Sequence, residues 1–261
     1  MSQDFISLNN EKIVHQITKF ILEQVKSRKK NGVVIGISGG LDSSVCLVLA
    51  SKALGKNRIF GLIMPERGQT PQKDIDNARD LVYKLRIKYK EIHFERAKKI
   101  LLSNLPNDKL SGGNLSARLR MALLYHFAGK SNLLVLGTSD KSELMIGYFT
   151  KFGDGGADLL PLGGLYKSQV KILGKKLGLS EQIINQPSSP RFWKGHVAEK
   201  ELGLAYHEID TILQYYLDND LDSCNLSNKK KKLVTDMIRK SRHKREQIPV
   251  CNLPEFDFYT V

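Results

Sequence analysis

The sequence predicts an α/β protein: an open, mostly parallel, doubly wound sheet with helices on both faces. Three observations point to it. The stretch 33–45 reads Val-Val-Ile-Gly-Ile-Ser-Gly-Gly-Leu-Asp-Ser-Ser-Val, an apolar β-branched run, a glycine break and a helix start. Such a run suits a strand buried on both faces. Further strand-like runs then alternate with helix-period segments, the pattern of a parallel sheet with crossover helices. Finally, 261 residues with 41% hydrophobic and 26% charged content are enough for one large core and exclude a disordered chain.

The elements follow in order. Residues 11–26 place Ile13, Ile17, Phe20, Ile21 and Val25 at helical spacing. This amphipathic helix packs on the sheet or on a second subunit. Asn31-Gly32 leads into the central strand, 33–37. A helix from Asp42 runs to Gly55, and 58–64 is the second strand, ended by Pro65. Thr70-Pro71 opens a helix to about Leu85, and 89–94 is the third strand. Residues 104–113 read as a polar connection containing Gly112-Gly113. Residues 114–125 form a helix with Leu115, Leu119, Ala122 and Leu123 on its apolar face. Arg118 and Arg120 point off that face, and Arg118 can meet a ligand. Residues 133–136 are the fourth strand, and Gly137-Thr138-Ser139-Asp140 turns into a helix that Glu143 begins. Another helix runs from Lys167 to Gly178. A late helix carries Leu204, Ile209, Ile212, Leu213 and Tyr216.

The formal charge of +14 favours polyanionic partners, nucleic acid or nucleotides. Much of it is local to the C-terminal part, where Lys229, Lys230, Lys231 and Lys232 read as a solvated helix face. The three cysteines are widely spaced, which argues against structural zinc and a disulfide framework. Cys46 reads as a small buried residue. No apolar run reaches membrane-span length and Met1-Ser2-Gln3-Asp4 is not a signal-peptide start, so a cytoplasmic protein is expected.

Two segments carry chemistry. Strand, glycine turn and helix N-terminus at 36–43 make an anion site, with backbone N–H groups and the helix dipole facing a phosphate. Gly39 and Gly40 permit close approach, and Ser38, Ser43 and Ser44 add hydroxyls. No Gly-Lys-Ser/Thr follows, so this is not a Walker loop. Asp42 serves as N-cap or as a Mg²⁺ ligand. Glu143 borders the same sheet edge, where ligands bind in open parallel sheets. The second segment, 147–158, reads Gly-Tyr-Phe-Thr-Lys-Phe-Gly-Asp-Gly-Gly-Ala-Asp. So glycine-rich a loop is mobile or meets a ligand through its backbone. Lys151 can neutralise phosphate there, and Asp158 can accept from a ribose or an amide. Lys167 opposes its helix dipole and so needs another reason, such as a phosphate held at that N-terminus.

These segments resemble the ammonia-dependent NAD synthetase family of the ATP-pyrophosphatase superfamily. The likeness runs through Gly36-Ile-Ser-Gly-Gly-Leu-Asp-Ser43, Ala117-Arg-Leu-Arg-Met121, Leu136-Gly-Thr-Ser-Asp-Lys-Ser-Glu143 and the 147–158 stretch. Pro161-Leu-Gly-Gly-Leu-Tyr-Lys167, Pro187-Ser188, Glu201-Leu-Gly203 and His243-Lys244-Arg245 complete it, in family order over nearly the whole chain. The first motif is shared across the superfamily, and 147–158 singles out this family. The resemblance implies ATP on Gly36, Ile37, Ser38, Gly39, Gly40, Leu41, Asp42 and Ser43, with Thr138, Lys167 and Ser188. It implies Mg²⁺ on Asp42 and Glu143, and deamido-NAD on Arg118, Lys151, Asp158, His243 and Lys244.

The implied activity is ATP-dependent amidation of deamido-NAD with free ammonia, giving NAD, AMP and pyrophosphate through an acyl-adenylate. Asp154 and Asp158 are candidates, by location only, for taking the ammonium proton, and 147–158 is read as a lid over the adenylate. The implied organisation is one synthetase domain over 1–261: an N-terminal helix (1–30), a nucleotide-binding core (31–180) and a C-terminal helical segment with a basic tail (181–261). No glutaminase domain is expected. A homodimer is expected, with neither nucleic acid nor membrane as partner. Two departures stand out. Ser188 replaces a frequent Thr and keeps its hydroxyl, and Gly195-His-Val-Ala-Glu199 replaces Gly-Gln-Thr-Asp-Glu. Trp193 matches a family aromatic and reads as a buried anchor of its loop. Two rivals are a tRNA-modifying ATP-pyrophosphatase, which the 147–158 segment opposes, and a nucleotide sensor without turnover, which Asp42, Glu143 and Lys167 oppose.

Overall fold

A computed structural model describes residues 10–106 and 108–251. β1 (Gly32–Gly36), β2 (Ile59–Ile63), β3 (Lys88–Glu91) and β4 (Leu133–Leu136) form one parallel sheet in the order β3-β2-β1-β4. The chain steps outward from β1 to β3, then crosses back to place β4 on the other side of β1. The order therefore reverses between β1 and β4, and a crevice opens at their carboxyl ends. Leu159 adds a parallel bridge to Leu136 at that edge.

Alternation along β1 explains the layers. Val33 and Ile35 face α1 (Asn10–Ser27), α2 (Leu41–Leu54), α3 (Gln72–Leu85) and α7 (Lys167–Lys176). Val34 faces the other side, where α5 (Lys109–Ser131) packs Leu119, Leu123, Leu124 and Phe127. A strand buried on both faces reads as an unbroken apolar run. Ile17, Ile21 and Val25 turn the buried stripe of α1 onto α2 and the core, at i, i+4 and i+8. The doubly wound α/β fold is as expected. Beyond it, α6 (Lys141–Ile146), α9 (Ala198–Leu202), α10 (Tyr206–Leu217) and α11 (Asn228–Lys240) bury a second apolar cluster around Ile209, Ile212, Leu213 and Val234. No helix among the described residues is long and apolar enough to cross a membrane.

Several boundaries differ from the sequence reading. The third strand is Lys88–Glu91 rather than 89–94, because Phe94 leaves the sheet to cap α4 (Glu95–Leu102), a helix the sequence reading lacked. The polar connection 104–113 ends early. Asp108 caps α5, its carboxylate accepting from the Ser111 N–H at 2.7 Å, and Gly112-Gly113 lies inside the helix. The reason is packing. A Cβ on Gly113 would stand 2.3 Å from the Phe192 ring, so glycine there lets the 187–192 segment lie on α5. Cys46 is fully buried, and burial pushes its thiol up. Trp193 is only part-buried and stacks on His196, which is buried, with ring centroids 3.6 Å apart.

Candidate active site

The β1–β4 crevice holds a cavity of about 290 Å³. One wall is the loop after β1. Gly39 sits at φ +76°, and a Cβ there would lie 1.9 Å from the Asp74 carbonyl oxygen of α3. Only glycine fits that conformation and that gap. The turn is tied internally. Ser43 Oγ donates to the Gly40 carbonyl at 3.1 Å and lies 3.0 Å from Ser38 Oγ. Gly40 is the N-cap of α2, so the positive helix end opens beside the cavity. Gly36, Ile37, Ser38, Gly40, Leu41, Asp42 and Ser43 all line it, while Gly39 lies behind against α3.

Facing that loop is a buried cluster of charge. Lys167 Nζ donates to Asp42 Oδ2 and Glu143 Oε1, each at 2.8 Å. It also lies 2.7 Å from Asp140 Oδ2, an ion-pair contact without hydrogen-bond alignment. The Lys167 side chain is 6% exposed and that of Asp140 0%. Asp140 is the N-cap of α6, accepting from the Glu143 N–H at 2.9 Å. That cap places two carboxylates at one helix end, opposite Asp42 on α2. The lysine at the start of α7 is thus explained by three carboxylates rather than by the dipole it opposes.

Electrostatics follow from this packing. Burial pushes Glu143 up to about 8 and Asp140 to about 6, with Lys167 holding both lower than burial alone would. Lys167 is itself raised, because the three carboxylates outweigh its desolvation. Oxygens of Asp42, Asp140 and Glu143 lie within 4.8 Å of one another, and Asp42 Oδ1 is buried without a hydrogen-bond partner. Three carboxylates and one ammonium leave a formal charge of −2. Hard oxygen donors, an orphaned carboxylate oxygen and that charge fit a small divalent cation such as Mg²⁺.

The remaining walls come from further along the chain. Thr138 and Ser188 line the cavity. The 186–191 segment is held to α3: Arg191 Nε donates to Asp74 Oδ2 at 2.8 Å, and Gln186 Nε2 donates to Asp74 Oδ1 at 2.9 Å. The 147–158 loop is packed down rather than loose. Thr150 Oγ1 donates to Asn114 Oδ1 of α5 at 2.6 Å, and a Cβ on Gly156 would press on Met121 at 3.1 Å. Asp154 accepts from the Thr150 N–H at 2.9 Å and lines the cavity, where desolvation by the surrounding wall raises its pKa despite contact with solvent.

None of the residues assigned to deamido-NAD lines this cavity, and Arg118, Lys151, His243 and Lys244 gather around the 147–151 turn. Arg118 is exposed and its guanidinium is 3.4 Å from the Lys151 carbonyl. Lys151 Nζ donates to the His243 carbonyl at 2.7 Å, and Lys244 Nζ to the Gly147 and Phe149 carbonyls, each at 2.7 Å. The basic segment after α11 is therefore fastened across the 147–151 turn. Asp158 has a local task, accepting from the Val135 N–H at 2.7 Å and the Tyr125 hydroxyl at 3.3 Å. Sequence reasoning passed over Asp140, Tyr148, Phe192, Tyr206 and Arg120. The Asp-x-x-Glu spacing at 140–143 was the signal for Asp140, since it puts both carboxylates in one helix turn.

The NAD synthase family model matches residues 13–248. The NH(3)-dependent NAD(+) synthetase of Staphylothermus marinus is 42% identical over 262 residues, covering 97% of this chain and 95% of that one. The solved NMN synthetase of Francisella tularensis superposes with a TM-score of 0.86 at 33% identity, over 95% of this chain and 100% of that one. The NH3-dependent NAD synthetase of Campylobacter jejuni gives 0.82 at 30% identity, over 94% and 100%. A family model spanning residues 13–248 and relatives aligned almost end to end place this chain in the NAD synthase family.

Proposed function

We propose that this protein is an ammonia-dependent synthetase that converts deamido-NAD and ATP to NAD, AMP and pyrophosphate. Members of the family catalyse that ATP-dependent amidation. The observation that carries the reading is one crevice lined by the anion loop after β1, Asp42 and Glu143, with Lys167 linking those two carboxylates to Asp140. An anion site beside a divalent-cation site is what a nucleoside triphosphate requires.

The loop N–H groups and serine hydroxyls hold the phosphates, and Thr138 and Ser188 border them. Leu62, Met64, Met121 and Leu124 offer an apolar wall to a flat base. Asp42, Asp140 and Glu143 would hold Mg²⁺, which when bound neutralises phosphate charge and polarises the α-phosphoryl group. The nicotinate carboxylate attacks the α-phosphorus, the bond to the bridging oxygen breaks and pyrophosphate leaves. Ammonia then attacks the acyl carbon and AMP leaves with the electron pair. One proton departs from nitrogen, and Asp154 is the better placed acceptor because it lines the cavity while Asp158 is bonded to Val135 and Tyr125. The protein's contribution is positioning and charge neutralisation.

Pyrophosphate release from Mg·ATP by purified protein tests this, with deamido-NAD plus ammonium, deamido-NAD plus glutamine, nicotinate mononucleotide plus ammonium, or bulk tRNA. Release with deamido-NAD, and NAD only with ammonium, supports the reading. Preference for the mononucleotide would favour the second reading, which the likeness to the Francisella tularensis NMN synthetase motivates. Release only with tRNA would reject both. The proposal includes one synthetase domain, a cytoplasmic location and a homodimer, for which α1 is the proposed contact because Phe20 stays exposed on it. A monomer by sedimentation would reject the dimer.

A further inference from the structure

Tyr206 begins α10 and forms part of the cavity wall. Its residue surface is 5% exposed, yet its hydroxyl is buried without a hydrogen-bond partner. A buried hydroxyl left unpaired is costly, and native proteins rarely tolerate one without a use for it. Its surroundings define what it can take. The Lys167 ammonium lies 5.1 Å from the ring centroid and gives its protons to carboxylates. Burial, then the charges of Glu143, Asp140 and Asp42, raise the phenol well above its ordinary value, Lys167 opposing them, so the oxygen keeps its proton. A neutral O–H in that place is a donor waiting for an anionic oxygen.

Local structure explains why the ring is fixed. The Tyr206 N–H donates to Glu199 Oε1 at 2.7 Å, anchoring the start of α10 to α9. One turn further, Asp210 accepts from Ser142 Oγ at 2.5 Å and from the Ser168 N–H and hydroxyl at 2.9 and 2.6 Å. Residues i and i+4 share a helix face. The same face of α10 therefore carries Tyr206 to the cavity and pins the first turn of α7, from which Lys167 reaches the carboxylates. The Tyr206 hydroxyl is left without a partner beside Asp42 and Asp140, each of which also keeps one buried carboxylate oxygen, Oδ1 and Oδ2, free of hydrogen bonds.

We infer that Tyr206 is a substrate-contacting residue whose hydroxyl donates to a phosphoryl oxygen of bound Mg·ATP. The inference rests on the ATP reading above and adds to it a donor from the C-terminal helical layer. It makes a two-sided expectation for Tyr206→Phe. Removing an unpaired hydroxyl takes nothing from the free protein, whereas losing a hydrogen bond to a charged oxygen weakens the complex.

The test is calorimetric titration of the full chain with the magnesium complex of α,β-methylene-ATP, beside thermal melting without ligand. The expected result is wild-type binding, with Tyr206→Phe binding about tenfold or more weakly and melting at the same or a higher temperature. Equal binding by the two proteins would overturn the inference while leaving the ATP reading in place. A lower melting temperature in the free variant would also overturn it, because the hydroxyl would then be serving the fold. Absence of binding by the wild type would overturn the ATP reading and this inference with it.

Discussion

Lys167→Met is the sharpest probe of the buried charge cluster. The substitution keeps a long side chain and removes the ammonium that touches Asp42, Asp140 and Glu143. The carboxylate oxygens lie within 4.8 Å of one another, and two such charges repel by about 3 kcal/mol at an effective dielectric near 20. Removing one partner from a buried ion pair costs about 3–5 kcal/mol. Proton uptake relieves part of that, and its direction is set by the raised acids. Glu143 titrates at about 8 against an ordinary 4.5, and Asp140 at about 6 against 3.8. A folded-state pKa above the unfolded one means the folded chain holds the extra proton. The resulting stability is full below the unfolded pKa and is lost as pH rises through the folded one. Ligand-free wild type is therefore expected to lose stability between about pH 4.5 and 8. The variant, with no ammonium to compensate, is expected to lose about 3–5 kcal/mol at pH 8 and clearly less at pH 6. Urea denaturation at both pH values, with and without Mg²⁺, measures it, and Mg²⁺ should restore part of the loss at pH 8. A penalty below about 1 kcal/mol at pH 8, or the same penalty at both pH values, would refute the reasoning.

Three further outcomes are expected. Gly39→Ala forces a Cβ to within 1.9 Å of the Asp74 carbonyl at φ +76°, so it should destabilise by about 1–3 kcal/mol and abolish nucleotide binding, read by denaturation and calorimetry. Asp210→Asn replaces an acceptor of three hydrogen bonds with a group that must present N–H to one of them. A loss of about 1–3 kcal/mol is expected, with kcat falling more than the KM for ATP because Lys167 loses its seat; full activity in a destabilised protein would oppose that role. Asp154→Asn should slow amidation about 100-fold or more at saturating ammonium, with adenylation less affected, while Asp158→Asn should act on stability through the Val135 contact. Rapid-quench separation of the two half-reactions distinguishes them.

What could be read in advance followed local rules. The β1 run, the glycine turn after it and the α2 start announce themselves within thirteen residues, because a buried parallel strand and a helix N-terminus each have a local composition. Strand alternation gave the doubly wound class. What escaped depends on partners distant in the chain. Gly112-Gly113 looks like a helix breaker until Phe192 is known to lie on it. Lys167 looks misplaced at a helix start until three carboxylates from α2 and α6 surround it. Asp140 was hidden by its ordinary job as an N-cap, and Tyr206 by its place in an apolar cluster. The short α4 keeps Ile100 and Leu101 exposed, so it has no buried stripe for periodicity to detect.

The face of α10 that carries Tyr206 and Asp210 bears on how this protein can be recombined. The nucleotide loop lies more than 160 positions earlier in the chain, a separation that invites treating the residues after α7 as an exchangeable specificity module. The Ser142, Ser168 and Asp210 contacts cross that seam. A chimera joined between α7 and α10 inherits the two serines from one parent and the aspartate from the other. Compatible crossover points therefore lie outside 142–210, and a swap within it must carry all three side chains together.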